Sequence, residues 1–177
     1  MEKLVTNVLF LDIDGPLTTH GSRNVLGPCV FKPDAAAALE HLCVKTRPHI
    51  VVHSSWRKLP VPPTKKWEFP TPDTWWFWDL DWFRELCRYQ DMPTMADCIR
   101  DMAPYKLNSN RGMEVAMWID EHDSPEDRYV ILDDEVWYFD WHKKEPWADR
   151  LLVIECPDYV GFTESQANDA LSWWAKE

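Results

Sequence analysis

Four short apolar runs punctuate the chain, at residues 4–11, 49–53, 129–132 and 151–154. Each is continuous and not strictly alternating, which is how strands buried on both faces of a parallel sheet read. Helical spacing fills much of the chain between them. Pro33 and Asp34 open a helix that runs through Ala35 to Val44, proline being suited to a first turn. From Arg111 to His122, the residues Met113, Val115, Ala116, Trp118 and Ile119 form an apolar stripe. Near the end, Thr163-Glu-Ser-Gln166 is a capping-box pattern ahead of Ala167, Ala170, Leu171 and Trp174. Strands and helices alternating in this way predict an α/β layered fold with right-handed crossovers.

The rhythm breaks between Lys58 and Tyr105. Pro60, Pro62, Pro63, Pro70 and Pro72 lead into the aromatic block Trp75-Trp-Phe-Trp78, followed by Trp82 and Phe83. This pattern predicts an irregular loop and then an amphipathic helix from about Asp79 to Tyr89. We read residues 58–105 as an insertion over one end of the sheet, within a single domain spanning residues 1–177. Domains of roughly 100–200 residues are the usual size.

Three of the apolar runs end abruptly in polar groups: Asp12 and Asp14 after the first, Ser54 and Ser55 after the second, Asp133 and Asp134 after the third. An aspartate just after a strand is commonly a turn former or a helix cap when it occurs alone. In an open parallel sheet, however, ligands bind in the crevice beyond the carboxyl ends of the strands. The six residues are therefore expected to converge. Four carboxylates in one crevice repel one another and raise their own pKa values unless a cation sits among them. An all-oxygen cluster suits magnesium, a hard ion held by a few carboxylates plus substrate phosphate. A carboxylate can also attack phosphorus, giving an aspartyl-phosphate that a second acid or base helps to hydrolyse.

Composition sharpens this picture. Nineteen basic against thirty acidic residues give a net charge of −11. That balance argues against broad adhesion to nucleic acid by counterion release and favours a small phosphate ester over a long polynucleotide. Cys29, Cys43, Cys87, Cys98 and Cys156 are odd in number and show no C-x-x-C, so they read as buried thiols and not as a disulfide framework or zinc knuckle. The six histidines form no H-x-x-x-H or H-E-x-x-H pattern, and no G-x-x-x-x-G-K-[ST] loop occurs. His53 is expected in the core, on the strand face opposite Ser54. No apolar run approaches the about 20 residues that cross a bilayer. The first run ends in acids and not in a small-residue cleavage site, so a cytoplasmic protein without membrane contact is expected.

Asp12-Ile-Asp14-Gly15-Pro16-Leu17 after an apolar strand, Ser54 after Ile50-Val-Val-His53, and Asp133-Asp134 after Val130-Ile-Leu132 together resemble the ordered motifs of the haloacid dehalogenase (HAD) superfamily. The finer pattern is similar to the small HAD domains associated with RNA-repair proteins. It comprises Phe10-Leu-Asp-Ile-Asp-Gly15, Ser54-Ser-Trp-Arg57, Arg111-Gly-Met-Glu-Val115 with Trp118, Tyr129-Val-Ile-Leu-Asp-Asp134 and Gly161-Phe-Thr163. Pro16, where valine or threonine is more usual, departs from the pattern.

The resemblance implies a three-layer α/β/α Rossmann-like fold with a central parallel sheet and a small flap at Thr18 to Phe31, and it leaves the Trp/Pro-rich insertion from Lys58 to Lys106 largely uncovered. It makes Asp12 the nucleophile and a magnesium ligand. Asp14 becomes the general acid toward the leaving oxygen and lends its backbone carbonyl to the metal. Ser54 would bond the transferring phosphoryl group, and Asp133 and Asp134 would complete the metal shell, with Asp134 favoured as the direct ligand. Arg111, or alternatively Lys106, would be the cation on the phosphoryl oxygens, whose developing charge the site must stabilise. Gly15, Ser55, Arg57 and Lys106 are the substrate-binding candidates, Arg57 and Lys58 being placed to meet a second phosphate.

The expected activity is a magnesium-dependent phosphomonoesterase acting on a nucleotide or a nucleic-acid terminal phosphate. A protein partner docked on the Trp-rich insertion is the competing expectation, in which the scaffold serves binding or inhibition. The insertion's tryptophans could also stack bases, as aromatic platforms do for single strands.

Overall fold

The computed structural model describes residues 6–19, 31–55, 80–106 and 108–176. Among the described residues five strands form one sheet: β1 (Asn7–Leu11), β2 (His49–Val52), β3 (Ile99–Met102), β4 (Arg128–Asp133) and β5 (Leu151–Glu155). Their order is β3-β2-β1-β4-β5 and every pairing is parallel. The central strand β1 registers Leu11 against Val52 on one side and against Leu132 on the other.

Among the described residues there are five α-helices: α1 (Pro33–Thr46), α2 (Leu80–Tyr89), α3 (Pro93–Cys98), α4 (Arg111–His122) and, after the last strand, α5 (Glu164–Trp174). Two 3-10 helices, Val136–Lys144 and Ala148–Arg150, lie between β4 and β5. Pro33 occupies the first turn of α1, and the helix stops at Arg47 in the left-handed region (φ 42°), just before Pro48. Thr163 and Gln166 close the expected capping box of α5, each side chain bonding the other's backbone N–H.

The continuous apolar strands have a simple cause. Leu9, Leu11, Ile50, Val52, Val130 and Leu132 face a core shared with α1, α2, α3 and α5. Val8, Phe10, Val51, Tyr129 and Ile131 face a second core with α4 and the 3-10 segment. Helical layers on both faces make the fold the three-layer α/β/α arrangement of HAD domains, in agreement with the expectation. Among the described residues no helix is long and apolar enough to cross a membrane.

The edge strand β3 is a feature that the sequence reading did not anticipate. Ile-Arg-Asp-Met lacks an apolar run because only Ile99 in it is buried, an edge strand needing cover on fewer sides. It falls inside the stretch 58–105 read as insertion, so residues 80–102 supply α2, α3 and a strand of the sheet itself. The predicted helix from about Asp79 to Tyr89 is α2. The tryptophan block 75–78, Arg57, Lys58 and most of the flap fall outside the described residues. Cys43, Cys87, Cys98 and Cys156 are buried free thiols, as expected.

The connectivity positions a crevice. The chain steps outward from β1 to β2 and β3, then returns through α4 to β4 on the other side of β1. The order reverses between β1 and β4, and ligands in open α/β sheets bind beyond the carboxyl ends of the strands at such a point. Asp12 follows β1 there, and Asp133 ends β4.

Candidate active site

The loop after β1 is tightly self-bonded. Asp12 N donates to Leu132 O (3.0 Å), tying it to the end of β4, and the N–H groups of Leu17 and Thr18 both donate to Ile13 O (3.0 and 2.9 Å). Gly15 has φ +86°, and a Cβ at this position would lie 2.5 Å from the Cβ of Asp134. Only glycine lets the two acidic loops pass this closely. The loop brings Asp12 fully under cover, while Asp14 is half-buried and accepts a hydrogen bond from Thr18 Oγ1 (2.7 Å).

Oxygens of Asp12, Asp133 and Asp134 all lie within 4.8 Å of one another. Asp12 Oδ1 accepts from Ile13 N (2.8 Å), and its carboxylate also bonds the buried Ser54 side chain. Asp133 Oδ1 accepts from Glu135 N (2.8 Å). Two oxygens of the cluster, Asp133 Oδ2 and Asp134 Oδ1, are buried without a hydrogen-bond partner among the described residues. Unsatisfied buried carboxylate oxygens are costly. Three converging carboxylates with such oxygens are a donor set that fits a hard divalent cation such as magnesium.

Arg111 begins α4, whose N-terminus Asn110 caps by accepting from Met113 N (2.9 Å). Its guanidinium donates to Asp12 Oδ2 and to Glu135 Oε2. It also lies 3.3 Å from Asp133 Oδ1 and 3.9 Å from Asp134 Oδ1. One cation thus faces four carboxylates. Its side chain keeps 17% exposure while those of Asp12 and Asp133 have none, so the guanidinium forms the accessible lip of a buried acidic floor.

The protonation equilibria follow from this imbalance. Burial pushes the Asp12 carboxyl up to about 6, against the pull of Arg111, Ser54 and Ile13 N–H. Burial and then the Asp12 charge push Asp133 up to about 8. Asp134 is raised mainly by burial as well. Burial works against the charged guanidinium of Arg111, but Asp12, Asp133, Glu135 and Asp134 together hold it firmly protonated. A bound cation would supply the positive charge this cluster lacks.

Of the predicted site residues, Asp12, Ser54, Arg111, Asp133 and Asp134 come together. Asp14 and Gly15 lie in the same loop, with the Asp14 carboxylate outside the three-carboxylate cluster. Ser55 is exposed. Lys106 is exposed, and among the described residues it makes no ion pair with the cluster, so Arg111 is the cation that reaches it.

Two residues escaped the sequence reading, and a third lies closer to the cluster than a core role alone implies. Glu135 holds the second arm of Arg111, and the acidic run Asp133-Asp134-Glu135 was its available signal. Tyr138 lies with its ring centroid 5.4 Å from the Arg111 guanidinium carbon. His53, expected in the core, is indeed fully buried, with its ring edge-on to Phe10 and Phe139. Its Nδ1 nevertheless sits 3.6 Å from Asp133 Oδ2, so it forms part of the wall behind the cluster.

A parallel sheet of this order, with D-x-D-G after the central strand and D-D after its neighbour, defines a HAD-type α/β domain. The chain belongs to the family described as the HAD domain in Swiss Army Knife RNA repair proteins, whose model matches residues 8–167. Neither the curated proteins nor the solved structures gave a match to this chain.

Proposed function

We propose that this protein is a magnesium-dependent phosphomonoesterase that works through an aspartyl-phosphate on a nucleotide or a nucleic-acid terminal phosphate. The buried cluster of Asp12, Asp133 and Asp134, with two orphaned oxygens, carries this reading. The family description, which places these domains in RNA repair proteins, supports a nucleic-acid end as substrate.

Asp12 is the nucleophile: its carboxylate oxygen bonds to phosphorus as the bond from phosphorus to the leaving oxygen breaks. Asp14, two residues on and only half-buried, gives its proton to that oxygen. It then takes a proton from the water that attacks the aspartyl-phosphate, which frees inorganic phosphate and restores Asp12. Ser54 and Arg111, both already bonded to the Asp12 carboxylate, hold the phosphoryl oxygens. Asp12, Asp133 and Asp134, with the backbone carbonyl of Asp14, would hold magnesium, Asp134 being the favoured direct ligand at β4. A magnesium ion held there would supply positive charge against the phosphoryl oxygens and the Asp12 carboxylate.

The test is phosphate release from 3′- and 5′-nucleotides, phosphate-ended oligonucleotides and an aryl phosphate, with magnesium or with chelator. Magnesium-dependent release that Asp12→Asn abolishes is the expected result. Release that survives Asp12→Asn would remove the nucleophile assignment, and no release from any substrate would count against the phosphatase.

A further inference from the structure

We infer that Trp137 and Tyr138 form a stacking platform for the nucleobase next to the scissile phosphate, which makes the substrate a terminal nucleotide and not a baseless phosphate ester. The inference rests on the phosphomonoesterase reading and names its specificity element. Both residues belong to the 3-10 helix Val136–Lys144, which directly follows the Asp133-Asp134-Glu135 turn. The platform is therefore rooted in the acidic loop itself.

A continuous line of contacts runs outward from the nucleophile. Arg111 bonds Asp12, the Tyr138 ring lies over the Arg111 guanidinium, and the Trp137 ring lies 3.7 Å from that of Tyr138 between centroids, tilted by 33°. The geometry depends on Gly112, where a Cβ would lie 2.1 Å from the backbone oxygen of Tyr138. Glycine in the first turn of α4 thus lets the 3-10 helix press Tyr138 against Arg111.

Trp137 differs from the buried tryptophans. Trp118, Trp147 and Trp174 are 7% exposed or less, whereas Trp137 is 59% exposed beside the site. A tryptophan left in water next to a phosphate-binding cation has an unused aromatic face, and every base can stack on one. The net charge of −11 removes long-range attraction for a polyanion, so grip on the substrate beyond its phosphate must come from neutral contact, which stacking provides.

The experiment measures binding, by fluorescence anisotropy, of short phosphate-ended single-stranded RNAs to the Asp12→Asn protein in magnesium. Each RNA carries either an intact or an abasic terminal nucleotide and is labelled at the far end. The intact end is expected to bind about tenfold more tightly. Adding Trp137→Ala should bring the ratio toward one, while Trp137→Phe should keep most of it. A ratio near one in the parent, a ratio unmoved by Trp137→Ala, or no measurable binding of either end would overturn the platform. Phosphate release by the unsubstituted protein separates the two readings. Base-dependent binding without release would retire the phosphatase and leave the platform, and release without base preference would do the reverse.

Discussion

The guanidinium of Arg111, at the first residue of α4, pairs directly with Oδ2 of Asp12, at the end of β1 and 99 positions earlier in the chain. The same group reaches Glu135, so a single side chain at the start of the crossover helix ties together the segments that follow β1 and β4. It is also the one cation among the described residues that the geometry places on the acidic cluster.

Arg111→Ala is expected to lower kcat by about 10²–10³-fold, the usual loss when one donor to a developing anion is removed. Arg111→Lys should recover only part of it, because an ammonium cannot span Asp12 and Glu135 as a planar fork does. Steady-state phosphate release by the two variants checks this. Full activity in Arg111→Ala would send the search for the phosphoryl cation back to Lys106 or to Arg57.

Asp14 offers a different kinetic signature. Its carboxylate stands apart from the metal-type cluster and is steadied by Thr18 Oγ1, an arrangement that suits a proton donor more than a ligand. Asp14→Asn should slow hydrolysis of a nucleotide by about 10²–10⁴-fold. An aryl phosphate, whose leaving oxygen departs without a proton, should lose much less. Equal losses on the two substrates would assign Asp14 to something other than general acid catalysis.

Asp133 pits function against stability. It is fully buried, its Oδ2 has no hydrogen-bond partner among the described residues, and burial pushes its carboxyl up to about 8. Asp133→Asn keeps an oxygen to accept from Glu135 N and removes a buried carboxyl whose ionisation burial disfavours. In chelator the variant should melt at the same temperature as the unsubstituted protein or higher. Magnesium should raise the melting temperature of the unsubstituted protein, since a ligand at a hundred times its Kd stabilises by about 2.7 kcal/mol. It should leave Asp133→Asn unmoved. A variant that melts markedly lower in chelator would mean that the charge itself holds the loops together.

How much of this was legible in the sequence depends on where each signal sits. The clustered carboxylates were readable because β1 and β4 are buried on both faces. Their apolar runs therefore stop sharply at Asp12 and Asp133, where the sheet ends. Strand β3 was not readable, because an edge strand with one buried residue carries no such run. Arg111 could be named from its motif but not placed, since its partners lie 99 and 24 positions away. Tyr138 and Trp137 gave no signal at all: a 3-10 helix has no long periodic pattern, and their position depends on the close approach at Gly112.

His142 links the same approach to acid stability. It is 1% exposed, its ring lies edge-on to Phe139 and Trp147, and its Nε2 is 3.1 Å from Gly112 O. Burial pulls its pKa from 6.5 down to about 4, against the opposing pulls of the Gly112 carbonyl and Asp120. As pH falls below 6.5 the unfolded chain takes up a proton at this histidine while the folded protein does not, so stability drops through the window from 6.5 to about 4 and is fully present above it. At pH 5 the loss from this group should be on the order of 2 kcal/mol. His142→Gln, which keeps a donor for the Gly112 carbonyl but cannot be charged, should lose correspondingly less between pH 7.5 and 5. Urea unfolding of both proteins at the two pH values reads the difference directly, and equal losses would show that the buried imidazole is not what acid attacks.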